Sequence, residues 1–548
     1  MKLKKTLLSA ALLGAMTTAM AYEANKTYAF TVLHTNDIHG HFWHNDKGEY
    51  GLAAQKTLVD QIRKEVEAKG GSIVVLNAGD VNTGVPESDM QNARPDIEGM
   101  NAIGYDAMVL GNHEFDFPLQ ILSMQEQWAN FPFISANVLN KNTNKPLVKP
   151  YIILERDGLK IAVVGLTTED SAKLGNPDVT ENAIFKNPIE SAKETLAELN
   201  KTEKPDVRIA LTHMGYYFDG KHGTNAPGDV TMARTLDKGA FDLIIGGHTH
   251  DTVCMDDKGQ LKAKYTPGEE CKPDFQNGTW IVQAGEWGKY VGRADFEFKN
   301  GETKLVKYEL IPVNLKKTIK KEDGTREYQL YQPEIKADEA TYALLKKYQD
   351  EGDQKLGIEV GSVKGFLDGK RENIRFIQTN LGRLIAQSQM ERVKADVGIM
   401  NSGGIRTSIE EGVVTYKNLL TVQPFGNMIA TLDLKGQEFL DTLTAIALKE
   451  VDTGGYPQFA GISMVVDRNA KTISDVKIGG EAFDANKTYK ISIPDYLASG
   501  GDGYPLLKKH PSYVNTGFID AEMLKNYFEE NKVIEADKYD PKDDIIFK

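Results

Sequence analysis

The stretch Thr31-Val-Leu-His-Thr-Asn-Asp37-Ile-His39 is a short apolar run that stops on two side chains able to bind a metal ion. Four more stretches follow the same plan: Ile73-Val-Val-Leu-Asn-Ala-Gly-Asp80, Ala107-Met-Val-Leu-Gly-Asn112-His113, Val207-Arg-Ile-Ala-Leu-Thr-His213 and Leu243-Ile-Ile-Gly-Gly-His248-Thr-His250. Short apolar runs bounded by Gly, Asn or Asp read as buried strands, and ligands just past their ends converge on one edge of a sheet. Amphipathic stretches at 55–68 and 188–199 separate them, which predicts an α/β layer fold.

Asp37 and His39 are two apart, as are His248 and His250, and on extended backbone such pairs face the same way. Eight of the ten histidines lie in or beside the five runs, with His34, His41 and His44 flanking the first and only His222 and His510 elsewhere. Chance scatter would not concentrate them so.

In type, order and context, Asp37-x-His39, Gly79-Asp80, Gly111-Asn112-His113-Glu114, His213 and Gly247-His248-x-His250 resemble the calcineurin-like metallophosphoesterases. The resemblance implies a β-sandwich flanked by helices. It also implies one metal held by Asp37, His39, Asp80 and His250 and a second by Asp80, Asn112, His213 and His248, with Asp80 bridging. Two such ions sit roughly 3.5 to 4 Å apart. Two carboxylates cannot neutralise two divalent ions, so a phosphate oxyanion is attracted. Mixed nitrogen and oxygen ligands suit zinc, manganese or cobalt, and magnesium less well. Asn112 and His113 are neighbours and point apart, so Asn112 is taken as the ligand. His113 then faces the phosphate with Asp116 on its far nitrogen, a pair suited to general acid catalysis. The chain has no Gly-x-Ser-x-Gly elbow and no Walker loop, which predicts direct attack by water without a covalent enzyme intermediate.

At 548 residues and 41% hydrophobic content the chain should form more than one domain. The net charge of −13, with no basic run beyond 316–321, argues against a nucleic-acid polymer as partner. Lys2, Lys4 and Lys5, an apolar stretch over 7–15 and Ala19-Met20-Ala21 read as a signal peptide over 1–21, cleaved after Ala21, which predicts a periplasmic protein. No segment supplies the about 20 apolar residues of a transmembrane anchor. Cys254 and Cys271 are the only cysteines, and in an exported chain they are expected to form one disulfide beside His250.

Residues 22–336 are read as the metal-bearing domain, 337–358 as a helical linker with its hinge near Gly352, and 359–548 as a second α/β domain. The second half carries Lys370-Arg371-Glu-Asn-Ile-Arg375, Asn401-Ser-Gly-Gly-Ile-Arg406, Gln423-Pro-Phe425-Gly-Asn427 and Tyr496-Leu-Ala-Ser-Gly-Gly-Asp502. Guanidinium groups among glycines suit phosphate, and aromatics beside turns suit base stacking. With these clusters nearly the whole chain resembles the bacterial periplasmic 5′-nucleotidase / UDP-sugar hydrolase group. The resemblance implies phosphate contacts from Arg371, Arg375 and Arg406, a base held between Phe425 and Tyr496, Asn427 at its edge, and Asp502 on the ribose. It also implies a domain rotation and a small nucleotide substrate, and the chain is expected to act as a monomer. Tyr496 stands where better-known members have Phe, and His250 where one has Gln. The rival reading is the 2′,3′-cyclic phosphodiesterase / 3′-nucleotidase branch, against which the 423–427 block speaks.

Overall fold

The computed structural model describes residues 22–222, 225–321, 326–542 and 544–548. The expected signal peptide lies outside the described residues. Each of the five apolar runs is a strand, and they are dealt between two six-stranded sheets. One sheet runs Glu302–Pro312, Tyr290–Lys299, Tyr28–Thr35, Ser72–Asn77, Ala107–Val109, Phe133–Ile134, and its last four strands are parallel. The other runs Asp274–Gln276, Thr279–Val282, Leu243–Ile245, Val207–His213, Leu159–Thr167, Tyr151–Arg156, with the middle four parallel.

Strand side chains alternate between the two faces of each sheet, so each run feeds two cores. Val32, Val74, Leu76, Ile161, Val163, Ile209 and Leu211 fill the space between the sheets. Leu33 and Val75 turn outward under helices Leu52–Ala68 and Arg94–Ile103. On the other sheet Ala162, Val164 and Ala210 lie under Pro188–Thr202 and Asp229–Thr235. This is the helix-flanked β-sandwich that the sequence predicts. Burial of one such Val or Leu contributes about 1.5–3 kcal/mol, which is why the runs are apolar on both faces.

Helix Glu339–Leu356 starts where the Asp338 carboxylate accepts the Thr341 amide at 2.8 Å. It packs on the first domain through Leu345. Gly352 lies inside it, where a Cβ would come within 2.8 Å of the Glu87 Cβ, so the residue permits a close helix–helix approach. The second domain is built around a five-stranded sheet, Pro457–Ala460, Val397–Asn401, Thr488–Pro494, Met428–Lys435, Val514–Ile519. Ile429 pairs with Pro494, so the start of strand Met428–Lys435 and the end of Thr488–Pro494 share one edge of that sheet. Lys417, from helix Tyr416–Val422, reaches across to pair with the buried Glu87 and lies 3.7 Å from Asp353. Among the described residues no helix is long and apolar enough to cross a membrane.

Candidate active site

The predicted ligands meet at the carboxyl ends of the sandwich strands. Three clusters have their ligand atoms within 4.8 Å of one another: Asp37, His39 and His250; His39, Asp80 and His113; Asp80, His213 and His248. His39 is common to the first two and Asp80 to the last two. The paired ligands do not sit on extended backbone as the sequence reading assumed. Asp37, His39, Asp80, His248 and His250 have φ of 50°, 50°, 54°, 83° and 61°. The strands end at Thr35 and Ile245, and left-handed residues beyond them fold the chain back toward the sheet edge. Short polar side chains tolerate that region best, yet each such residue costs of order 1–3 kcal/mol.

Hydrogen bonds behind the rings aim the lone pairs inward. His39 Nδ1 donates to the Thr83 carbonyl (2.8 Å), His213 Nδ1 to the Ala78 carbonyl (2.7 Å) and His250 Nδ1 to Glu286 Oε2 (2.7 Å). An acceptor on Nδ1 leaves Nε2 as the ligand atom. His248 is reversed, with Nδ1 at 2.8 Å from Asn112 Oδ1. Asn112 thus joins the Asp80, His213 and His248 cluster, while His113 falls in the cluster with His39 and Asp80, its Nδ1 held by Asp116.

The donor set fits two cations. His39 Nε2 and His250 Nε2 are 3.2 Å apart, and two facing lone pairs at that distance repel unless positive charge lies between them. His213 Nε2 is buried and makes no hydrogen bond although Asp80 Oδ2 is 2.9 Å away. Without cations, protons take their place. Burial opposes charge on His213, but Asp80 and Asp37 pull it up to about 10. The same contest, with Asp37 and Glu286, brings His250 up to about 9. Burial holds His39 at about 3 and His248 at about 4, so these two stay neutral and ready to bind.

His113 Nδ1 lies 2.6 Å from Asp116 Oδ2, as the spacing predicts. Burial works against charge on this imidazole, yet Asp116 and Asp80 lift its pKa above the usual value. Two residues beside the cluster escaped the sequence reading. Glu114 accepts the amides of Gly111 (2.7 Å), Val81 (2.9 Å) and Asp80 (3.0 Å) and so ties the two ligand turns together. Gly111 lets them touch, since a Cβ there would meet the Asp80 amide at 2.7 Å. Glu286 orients His250, and against its burial that histidine keeps its carboxyl well below the usual range. Glu114 follows His113 directly in a quoted motif, whereas Glu286 lies 36 residues from His250 with no spacing signal.

The second domain closes over this edge. One cleft of about 700 Å³ has Asp80, Asn112, His113, Asp116, His248 and His250 on one wall and all seven predicted substrate residues on the other. Asp37, His39 and His213 are buried beneath it. Desolvation and the neighbouring guanidinium groups of Arg371 and Arg406 bring Arg375 down to about 9, a mutual repulsion that a bound anion relieves. The Phe425 ring stacks on His113 at 5.8 Å and 15°, with Arg406 5.5 Å from its centre. Asp502 accepts from Asn401 (2.7 Å) and from the Tyr496 hydroxyl (3.1 Å), and Asn427 donates to Asp520 (3.2 Å). Asn401, quoted but unassigned from sequence, thus orients the carboxylate expected to meet ribose.

The sandwich and its ligand edge define a calcineurin-like phosphoesterase domain, and the family model of that description matches residues 30–252. The model described as the 5′-nucleotidase C-terminal domain matches 359–509, and the chain belongs to the 5′-nucleotidase family that combines the two. It is 56% identical over 530 residues to the protein UshA of Yersinia enterocolitica, covering 97% of this chain and 96% of that one. It is 53% identical over 549 residues to a 5′-nucleotidase of Vibrio cholerae, covering 99% of each. Among solved structures, the 5′-nucleotidase precursor from Thermus thermophilus superposes with a TM-score of 0.74 at 28% identity, over 95% of this chain and 99% of that one.

Proposed function

We propose that this protein hydrolyses nucleoside 5′-monophosphates to nucleoside and phosphate, with nucleotide sugars such as UDP-glucose and nucleoside di- and triphosphates as further substrates. The carrying observation is the single cleft in which a histidine–carboxylate cluster faces three arginines and two aromatic rings. Asp37, His39, Asp80, Asn112, His213, His248 and His250 would hold the divalent ions, which would supply positive charge for the phosphate and lower the pKa of a water toward neutrality. Zinc, manganese, cobalt and magnesium are the candidates.

The remaining roles fall to the chain's own groups. Arg371, Arg375 and Arg406 draw the anion in and hold its non-bridging oxygens. Phe425 and Tyr496 stack the base, Asn427 reads its edge and Asp502 accepts the ribose hydroxyls. His113, held by Asp116, gives its proton to the nucleoside 5′-oxygen as the P–O bond breaks and a water oxygen bonds to phosphorus, the water's protons leaving with the phosphate and the imidazole regaining its own from solvent. The first 21 residues support a periplasmic site of action, where such an enzyme salvages nucleotides.

Protein stripped with chelator and repleted metal by metal should hydrolyse AMP, UDP-glucose and ATP but not 3′-AMP. Isotope from labelled water should appear directly in the phosphate. Preference for 3′-AMP, or label retained by the protein, would overturn this reading.

A further inference from the structure

Thr83 has no part in the chemistry described so far, yet the fold holds it under strain. Its φ is +64°, a left-handed backbone that a β-branched residue rarely adopts, and it is 3% exposed. Two contacts exploit that conformation. The Thr83 carbonyl accepts from His39 Nδ1 at 2.8 Å. Its hydroxyl donates at 2.7 Å to Asp116 Oδ2, the same oxygen that His113 Nδ1 reaches at 2.6 Å. The residues on either side are pinned as well. The Asn82 side chain accepts from Gln125 Nε2 at 2.8 Å, and the Gly84 amide donates to the Asp89 carboxylate at 3.1 Å.

We propose that Thr83 is a positioning residue for the His113–Asp116 acid. Its hydroxyl takes up one lone pair of Asp116 Oδ2 and so fixes the carboxylate, which in turn fixes the bearing of the imidazole on the cleft. Because the carbonyl of the same residue sets His39, Thr83 also holds the acid at one spacing from the ligand cluster. A rotating Asp116 would leave His113 free to tilt toward Phe425, its stacking partner. The inference rests on the proposed hydrolysis, in which His113 loses its proton to an alkoxide. An ester whose leaving group is stable as an anion needs no such proton, and there Thr83 should matter little.

The test compares AMP with p-nitrophenyl phosphate in wild type, Thr83→Val and Thr83→Ser, with metal content measured on each. Losing a hydrogen bond to a charged group predicts that Thr83→Val lowers kcat on AMP by about tenfold or more. KM and the metal-to-protein ratio should stay unchanged, and kcat on p-nitrophenyl phosphate should fall by less than about threefold. Thr83→Ser, which keeps the hydroxyl, should restore most of the AMP rate. Thr83→Ala, which removes the hydroxyl and eases the crowding, gives the same comparison should the valine variant not fold. Equal losses on both esters, a loss of metal, or no loss at all would overturn the proposal. A wild-type enzyme inactive on AMP would instead overturn the functional reading.

Discussion

Asp80 shows at the scale of one residue how the site is built. It ends a strand run, adopts φ of 54°, accepts the His113 amide on Oδ1 at 2.9 Å and presents Oδ2 to His213. Its neighbours His213 and His250 make the cost of leaving the cluster without cations visible, since at about 10 and about 9 both hold protons at neutral pH. Their pKa values are raised, so cations must displace protons, and metal affinity should fall as pH drops through the whole range below about 9. Calorimetry of metal binding at pH 7 in buffers of different ionisation enthalpy should therefore report about two protons released per chain. Binding without proton release would show that these imidazoles are neutral before the ions arrive.

At the scale of elements, the strand ends were readable because Asp, His and Asn after apolar runs are chemically distinct and five such runs repeat. The left-handed backbone of the ligand turns was not, because no residue type there demands it: Asp and His merely tolerate it. Glu286 and Thr83 were hidden for a related reason, as their partners are set by tertiary approach and each residue type is common on surfaces. The linker helix was legible from its charge and length, yet Gly352 within it serves packing against Glu87. The expected disulfide does form, with Cys254 and Cys271 both buried at the end of the sandwich core and a sequence separation of 17. A loop of that size is stabilised by about 3 kcal/mol in the chain-entropy model. Cys254→Ser with Cys271→Ser should thus speed hydrogen exchange across 251–273 and weaken retention of the ion nearest His250. Exchange and metal retention identical to wild type would show that the bond does not brace the site.

On the proposed reading the whole molecule divides the reaction between two domains, with cations expected on one wall of the cleft and nucleoside on the other. The substrate-wall residues could be read as clusters, but their meeting with the ligand edge is a fact of domain packing that no local pattern encodes. Helix Ser171–Leu174 packs against the turn Gly501–Gly503, where the second domain caps the first. A nucleotide held between two domains is expected to be bound and released by their opening and closing. We propose residues 337–358 as the hinge; since Gly352 is packed against Glu87, its turning point is placed not there, as the sequence suggests, but just past Leu356, where the helix ends. A cysteine pair joining Ser171–Leu174 to Gly501–Gly503 should stop turnover when oxidised and restore it under reduction mild enough to spare the buried Cys254–Cys271 bond. Full steady-state turnover in the oxidised form would refute the swing. Two divalent ions gathered by ligands from five separate strand ends should be visible in anomalous scattering from crystals of the metal-repleted protein. Two peaks are expected roughly 3.5 to 4 Å apart, bridged by Asp80, with Asp37, His39 and His250 around one and Asn112, His213 and His248 around the other. A single peak, or none at Asp80 under any metal tried, would contradict that expectation.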